Sequence, residues 1–551
     1  MEITYSDAKK LHSALFAAEE FSRHREMWLR IQAKQIPFLG ELGQTDQLIK
    51  KDRGIVDMTA WRSNLIFAGG MANGSVPQTV QWFDFDVETE DQVAKEIAQG
   101  RRDTVSLALN HSNFYSAVHY AYQELTFGQS PVGTFFDPSR GIVFENSSVG
   151  SYAYALNQFR DVTAFAVKKK FTYRQLAQKF GIEKCPDKVK NALKENKGTE
   201  STLNCYWLLT QNPSIKHDSF GPEGKRYLSL YWVEGENDYI STGGFDVMPI
   251  AIAPYIVIPN SNYSIGPGWF ADSDCAMLYE QLKNGFANMT MHSEPPLQAP
   301  SGVEVDYRPG MVTELDGSNY GKVESLFNVA PAFQAIFEVA QRTESNIEAA
   351  YNVNLFAMLE QSKFDGQGRT AFELELRQQE KMQLLTPIVT RINHEFLGKI
   401  IEVVYSYYER NNGFASVPPE YDGIDLEVKY VSPLAQVQKM SGMEAYEYLL
   451  NMIMQVSQLK PEIAGILDAE TFIREFGDKS GAPLKLLFDQ KEYADILQQQ
   501  AQAAEEEKQL AQITTAAPAV NDFADAARNV QEMATDGSNP AVEQLMASLQ
   551  Q

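Results

Sequence analysis

Cysteine is scarce: Cys185, Cys205 and Cys275 are the only three in 551 residues, odd in number and far apart. That excludes a disulfide framework, does not suit a zinc ligand set, and fits a chain made in a reducing cytoplasm. Long apolar runs are also missing. The most apolar stretch, Phe245 to Ile258, is shorter than the roughly 20 residues a bilayer span needs and carries Asp246, Pro249 and Pro254. No membrane role is expected. Met1 to Asp7 lacks a basic segment followed by an apolar run, so no secretory signal is expected either. Positive charge is in deficit, with 48 basic against 72 acidic residues and a net charge of −24. A protein that grips DNA by displacing counterions from phosphates needs a basic surface, so tight DNA binding is not expected of the chain as a whole. Charge of this sign keeps a crowded assembly subunit soluble and makes a surface slippery towards nucleic acid.

Catalytic signatures are equally thin. There is no Gly-x4-Gly-Lys-Ser/Thr loop, so the chain is not an ATP-driven motor, and Gly477-Asp-Lys-Ser-Gly lacks the spacing to cradle phosphates. His111 and His119 are eight apart with no third ligand nearby, while His292 and His394 are isolated, which reads as structural histidine and not as metal ligation. Neither Gly-x-Ser-x-Gly nor His-Glu-x-x-His occurs. No cofactor is expected. The run Lys168-Lys169-Lys170 reads as a solvated face and not as a DNA contact.

What the chain does have is apolar content, 44% hydrophobic and 11% aromatic, ample for several coupled ordered domains. Residues 1–36 carry an uneven helical stripe ended by Pro37. A helix is expected from Asp57 or Thr59 to the glycines near 70, and another from Glu90 to about Ala121, broken near 109–112. From Pro131 the period shortens to β-like runs at 132–136, 141–145, 151–157, 205–210, 226–233 and 246–258. Between them Thr172 caps a short helix ending at Gly181. This makes an α+β unit of residues 1 to about 268. After Gly266-Pro-Gly a helix from about Asp272, with Cys275, Leu278, Leu282, Phe286 and Met289 on one face, and a second from near Pro331, with Phe333, Ile336, Phe337, Ala340, Ile347 and Ala350, bracket a small Pro- and Gly-rich insert. The simplest geometry is an arm with a knob at its tip. Apolar residues from Leu374 to Tyr407 then step by three or four along a rod of roughly 40 residues, about 60 Å, with a bend expected at Pro387. A strand is expected at 425–430, short helices to about 490, and a Gln/Ala/Glu-rich end beyond.

This order of parts resembles the head-to-tail connector, or portal, proteins of short-tailed bacteriophages. The resemblance runs from about Asp57 to Gln500. It rests on Thr59-Ala-Trp-Arg with Leu65-Ile-Phe-Ala-Gly-Gly-Met, on Phe171-Thr-Tyr-Arg-Gln-Leu-Ala-Gln-Lys-Phe-Gly, and on Gly266-Pro-Gly. Further on it rests on Glu294-Pro-Pro-Leu, Arg308-Pro-Gly-Met-Val, Gly368-Arg-Thr-Ala-Phe-Glu-Leu, Tyr430-Val-Ser-Pro-Leu-Ala, Asp468 with Phe472, and Gly481-Ala-Pro. The resemblance implies a mainly helical portal architecture with an α+β wing (1–270), a two-helix stem (271–291 and 329–352) and a small mixed clip (292–328). It also implies a channel loop (353–369), a long kinked wing helix and strand (370–430), a helical crown (431–490) and a C-terminal helix and tail (491–551). It further implies a ring of twelve copies at one capsid vertex, a channel for double-stranded DNA, and no enzyme activity. The expected partners are the terminase, then the tail adaptor, with the major capsid and scaffolding proteins and internal core or ejection proteins beside them. The place is the virion, after assembly in the host cytoplasm. Candidate channel residues are Lys363, Arg369, Gln361 and Gln367, against the plain reading of solvated loop charges; Leu355 to Leu359 read as core more readily than as channel lining. Candidate clip residues for docking are Glu294, Pro295, Pro296, Arg308 and Asp316. Two alternatives stay open: a metal-dependent DNA hydrolase built on carboxylates such as Asp272, Asp274 and Glu280, and a capsid or scaffold protein.

Overall fold

The computed structural model of the chain describes residues 3–37, 57–87, 91–195, 201–215, 221–294, 297–299, 305, 323–325, 333–356, 385–421, 426–431, 449–450, 452–453 and 472–473. The chain forms two compact units, Met1–Gly442 and Met443–Gln551. Of the crown expected at 431–490 only residues 431, 449–450, 452–453 and 472–473 are described, and the tail expected at 491–551 lies outside the described residues.

The first unit opens with α1 (Tyr5–Ala17) and α2 (Glu19–Lys34). Thr4 caps α1 by accepting the Asp7 N–H, and Ala18 leaves the helical region at ψ 135°, splitting the expected single stripe into two helices. In α3 (Thr59–Ser75), Asp57 accepts the Thr59 N–H at 3.2 Å. This helix runs on through Gly69 and Gly70. The Phe356 ring lies where a Cβ on Gly70 would sit, so that glycine serves close packing and not termination. α4 (Gln92–Asn110) and α5 (Phe114–Glu124) flank a break at 111–113, as the sequence suggests.

Strands β2 (Gln129–Asp137), β3 (Gly141–Asn146) and β9 (Ile250–Pro254) form an antiparallel sheet in the order β3-β2-β9. A larger antiparallel meander joins β4 (Tyr152–Leu156), β5 (Val162–Thr172), β6 (Thr202–Gln211), β7 (Tyr227–Val233) and β8 (Ser241–Phe245) in chain order. β5 was not expected. Its inner half alternates Phe165 and Val167 with Ala164 and Ala166, but its outer end carries the three lysines, which read as a charge run. The alternation sorts the meander's faces. Phe165, Val167, Trp207 and Leu209 pack with Trp28, Ile31, Ile250 and Ile252, while Ala166, Leu208, Leu230 and Trp232 pack with Ala8 of α1. Beyond β5 comes α6 (Tyr173–Phe180), entered through a Thr172–Gln175 capping box and ended at Gly181 with φ +85°. With α7 (Asp187–Lys194), it buries Cys205 and Val233.

A second core gathers Phe67, Met71, Phe83, Leu109, Phe114 and Tyr122 against the described part of the rod. That part consists of α10 (Thr386–Arg391), a π-helical turn (Ile392–Leu397) and α11 (Gly398–Arg410). Val389, Ile392, Phe396, Ile400 and Val404 are buried, following the spacing read from the sequence. Pro387 lies in the first turn of α10, where its missing N–H leaves no intrahelical bond unmade. The segment before Leu385 is outside the described residues, and with it the expected bend. β10 (Ile256–Val257) pairs antiparallel with β11 (Ser264–Ile265), and beside the rod β1 (Phe83–Asp86) pairs antiparallel with β14 (Glu427–Tyr430), Phe83 opposite Tyr430. Among the described residues, no helix is long and apolar enough to cross a membrane.

Candidate assembly arm and docking surfaces

Two long helices form the arm. α8 (Pro267–Ser293) has 27 residues and α9 (Phe333–Ala350) has 18, lengths of about 40 and 27 Å. α8 starts at Pro267, five residues before the expected Asp272, because the fixed φ of proline suits the first helical position. The helices run antiparallel. Thr343 Oγ1 donates to Gln281 Oε1 at 3.3 Å, Gly285 faces Ile336, and Leu278, Ala340 and Ile347 are buried.

The base of the arm is fixed by close approach. A Cβ on Gly266 would lie 2.0 Å from the Leu125 carbonyl oxygen, and one on Gly268 would lie 2.7 Å from Thr126 Cγ2. Around these glycines, Trp28 Nε1 and Trp269 Nε1 both donate to the Phe127 carbonyl, at 3.1 and 2.9 Å. Gln35 Nε2 donates to the Gly268 carbonyl at 2.8 Å, and the Tyr351 hydroxyl donates to Gln35 Oε1 at 3.0 Å. The Gly-Pro-Gly stretch is therefore a socket as well as a break.

The charges at the base are mostly negative. Buried Asp272 is held by Arg30 of α2. Burial, then Asp57 and Glu348, push the Glu344 carboxyl above its ordinary value, and burial with Asp57, Asp272 and Asp274 pushes the Cys275 thiol up to about 12. Of the carboxylates considered for a hydrolase, Asp272 is taken up by Arg30, and Glu280 points to solvent. Among the described residues, no group of three or more His, Cys, Asp or Glu side chains is placed to hold a metal ion. Among the described residues the arrangement can position and bind, with Asp272 occupied by Arg30 and Glu280 turned to solvent.

Away from the base, the arm is apolar on its outside. Phe286 is 50% exposed, Met277 44% and Phe337 55%, with Met289 and Val339 also exposed. Phe286, Met289 and Phe337 were expected on the packed faces. They are not buried because α8 and α9 cover only one another's inner seam. Met277 and Phe286 are nine residues apart, which at 3.6 residues per turn puts them on opposite flanks of α8. A narrower signal was available in the sequence: α8 has more large apolar residues than one face of a helical pair can cover.

At the tip, β12 (Leu297–Gln298) pairs antiparallel with β13 (Glu324–Ser325), so the insert between the arm helices closes on itself near its root. Glu294 is exposed at the end of α8, its N–H donating to the Thr290 carbonyl at 2.8 Å. Pro295, Pro296, Arg308 and Asp316 lie outside the described residues, as do Gln361, Lys363, Gln367 and Arg369. Leu355 and Phe356, from the apolar half of the expected channel loop, are buried in the core beside α3.

Comparison with known proteins places this architecture. A family model described as bacteriophage head to tail connecting protein matches residues 8–487. The chain is 27% identical over 471 residues to the portal protein of Salmonella phage epsilon15, covering 83% of this chain and 84% of that protein. It is 24% identical over 478 residues to the probable portal protein of Bordetella phage BPP-1, covering 84% and 85%. Among solved structures, the virion of a native gene transfer agent particle matches at 10% identity with a TM-score of 0.37, over 82% of this chain and 93% of that one.

Proposed function

The chain belongs to the bacteriophage head-to-tail connecting protein family, and on that premise we propose that it assembles as a ring of about twelve copies around a channel for double-stranded DNA. As a head-to-tail connector it is a structural protein of the virion and not an enzyme. In the finer reading, DNA enters through the channel during packaging and leaves through it on ejection. The stretch 292–328 docks the terminase and afterwards the tail adaptor, with Glu294, Pro295, Pro296, Arg308 and Asp316 as contact residues. Lys363, Arg369, Gln361 and Gln367 form the loop that meets the duplex, and residues 431–490 form the crown. Major capsid and scaffolding proteins are the neighbours at the vertex, and internal core or ejection proteins lie above it. Assembly takes place in the host cytoplasm.

The observation that supports a ring is the pair of apolar flanks on the arm. A two-fold dimer buries the same patch on both partners, whereas a head-to-tail interface joins two different patches and closes into a ring when the rotation allows. Met277 and Phe286 on opposite sides of α8 suit the second case. The acidic balance suits a passage that must not hold what moves through it. Light scattering of the purified chain, with negative-stain images of the same sample, tests the reading. Twelve copies of a 61.9 kDa chain give about 740 kDa and an open central hole. A stable monomer or two-fold dimer in the presence of the scaffolding protein overturns it.

A further inference from the structure

The meander and its two short helices carry a charge opposite to that of the rest of the chain. Between residues 168 and 195 there are nine basic residues against three acidic ones, a net of +6 in a protein of −24. Two of the cations are occupied at close range: Lys169 pairs with Glu145, and Lys190 lies 3.5 Å from Asp187. Lys179 sits over the rings of Phe171, Phe180 and Tyr231, 5.1 to 5.8 Å from their centroids, and Lys168 over that of Tyr206 at 5.9 Å. Lys170, Arg174, Lys184, Lys188 and Lys194 are exposed and make no ion pair among the described residues.

The scaffold beneath them is capped and packed. α6 is boxed at its start and stopped by Gly181, and α7 follows within a few residues. Both are fastened to the sheet through Tyr173, Leu176, Cys185 and Val189 over Cys205 and Val233. The five free cations thus belong to one folded lobe and not to a floppy tail.

We propose that this lobe is a sequence-independent contact for the phosphate backbone of duplex DNA, separate from the channel loop; Lys170, whose run reads as a plain solvated face in the sequence, joins it because the fold sets it beside the cations of the two short helices. The residue types decide the partner. Protein–protein interfaces are depleted in lysine and enriched in arginine and aromatic residues, whereas these five cations are four lysines and one arginine. The lobe's aromatic side chains, Phe171, Tyr173 and Phe180, are partly or wholly buried and offer no platform for stacking unpaired bases. Exposed lysines act as point charges that neutralise phosphates and read no base. The acidic remainder of the chain repels the same duplex, which confines the contact to the lobe. The proposal goes beyond the conduit reading and does not need the ring.

The test uses the full chain and a mixed-sequence duplex of about 30 base pairs, followed by fluorescence anisotropy from 20 to 200 mM salt. The wild type binds at low salt with log K falling against log salt at a slope of about −4 to −5, at roughly 0.9 per phosphate contacted. Replacing Lys170, Arg174, Lys184, Lys188 and Lys194 together by Gln weakens binding at least ten-fold at the lowest salt and flattens the slope. Replacing five exposed cations elsewhere, Lys9, Lys10, Arg25, Arg62 and Lys95, by Gln changes the net charge equally and leaves binding within two-fold. Equal losses in both variants, or no binding by the wild type, overturn the proposal. So does preferential binding of poly-L-glutamate, which would assign the lobe to an acidic protein. Light scattering of the same samples keeps the ring reading separate: a ring that ignores DNA sinks the lobe contact alone.

Discussion

The carboxylate of Glu20, in the first turn of α2, gathers four hydrogen bonds from the far side of the unit. It accepts from the Ser261 hydroxyl at 2.5 Å, the Asn262 N–H at 2.7 Å, Asn262 Nδ2 at 2.9 Å and the Tyr263 N–H at 3.4 Å. Partial burial pushes its pKa up, but the hydrogen bonds together outweigh this and hold it below the ordinary 4.5. His12 is the complementary case. Burial among Phe16, Tyr206 and Trp232 lowers its pKa from 6.5 to about 4, despite its hydrogen bond with the Val167 carbonyl, and Lys168 adds to the lowering. Both folded values are depressed, so both groups contribute stability above their unfolded pKa and lose it as pH falls. For His12 the loss runs from about pH 6.5 down to about 4, on the order of 3 kcal/mol in total; for Glu20 it begins below about 4.5. Urea unfolding at pH 7, 5.5, 4.5 and 3.5 is therefore expected to show falling stability, with His12→Gln flattening the slope from pH 7 to 4.5 and Glu20→Gln flattening it below 4.5. A His12→Gln slope identical to the wild type would remove this account. Neither residue stands out in the sequence, because burial and partners 155 (His12) and 241 to 243 (Glu20) residues away determine their behaviour.

Among the elements, the arm shows where the sequence was legible. Gly266-Pro-Gly marked its start and the three-four spacing of apolar residues marked both helices, since these signals are local. The socket was not visible, because Leu125, Thr126 and Phe127 reach Gly266 and Gly268 only through the fold. Gly266→Ala forces a Cβ against the Leu125 carbonyl, and the backbone itself must move. It is expected to cost about 3 kcal/mol or more, as steric overpacking at a buried site does, read as a lowered melting temperature. Gly69→Ala is its control, since that Cβ meets nothing within 4 Å, and it is expected to be neutral or slightly stabilising. β5 and α7 escaped the sequence for another reason. In β5 three consecutive lysines break the alternation before the strand ends, and in α7 Lys188, Lys190 and Lys194 match Val189, Ala192 and Leu193 in number over only eight residues.

For the whole molecule, order of parts carried more information than any single motif, and family membership follows from the same breadth, a match over residues 8–487. Site residues are less legible: Gln361, Lys363, Gln367 and Arg369 are placed by chain order alone and lie outside the described residues. Phe286 and Phe337 supply the corresponding test of assembly. Replacing both by Glu places charge on exposed positions, so the monomer is expected to keep its circular dichroism and melting temperature while the large species disappears from light scattering. Rings of normal mass from that variant would show that the arm's outer face is not an interface. The pairing of β1 with β14 carries a consequence in time. Phe83 meets Tyr430 roughly 350 residues later in the chain, so at about 5–20 residues per second a ribosome needs roughly 17 to 70 s to deliver the partner. Through that interval the nascent chain holds Trp82, Phe83 and Phe85 without their closing strand. The core beside β1 therefore stays open along one edge until the chain has passed Tyr430, and translation itself sets the earliest moment at which that edge can close.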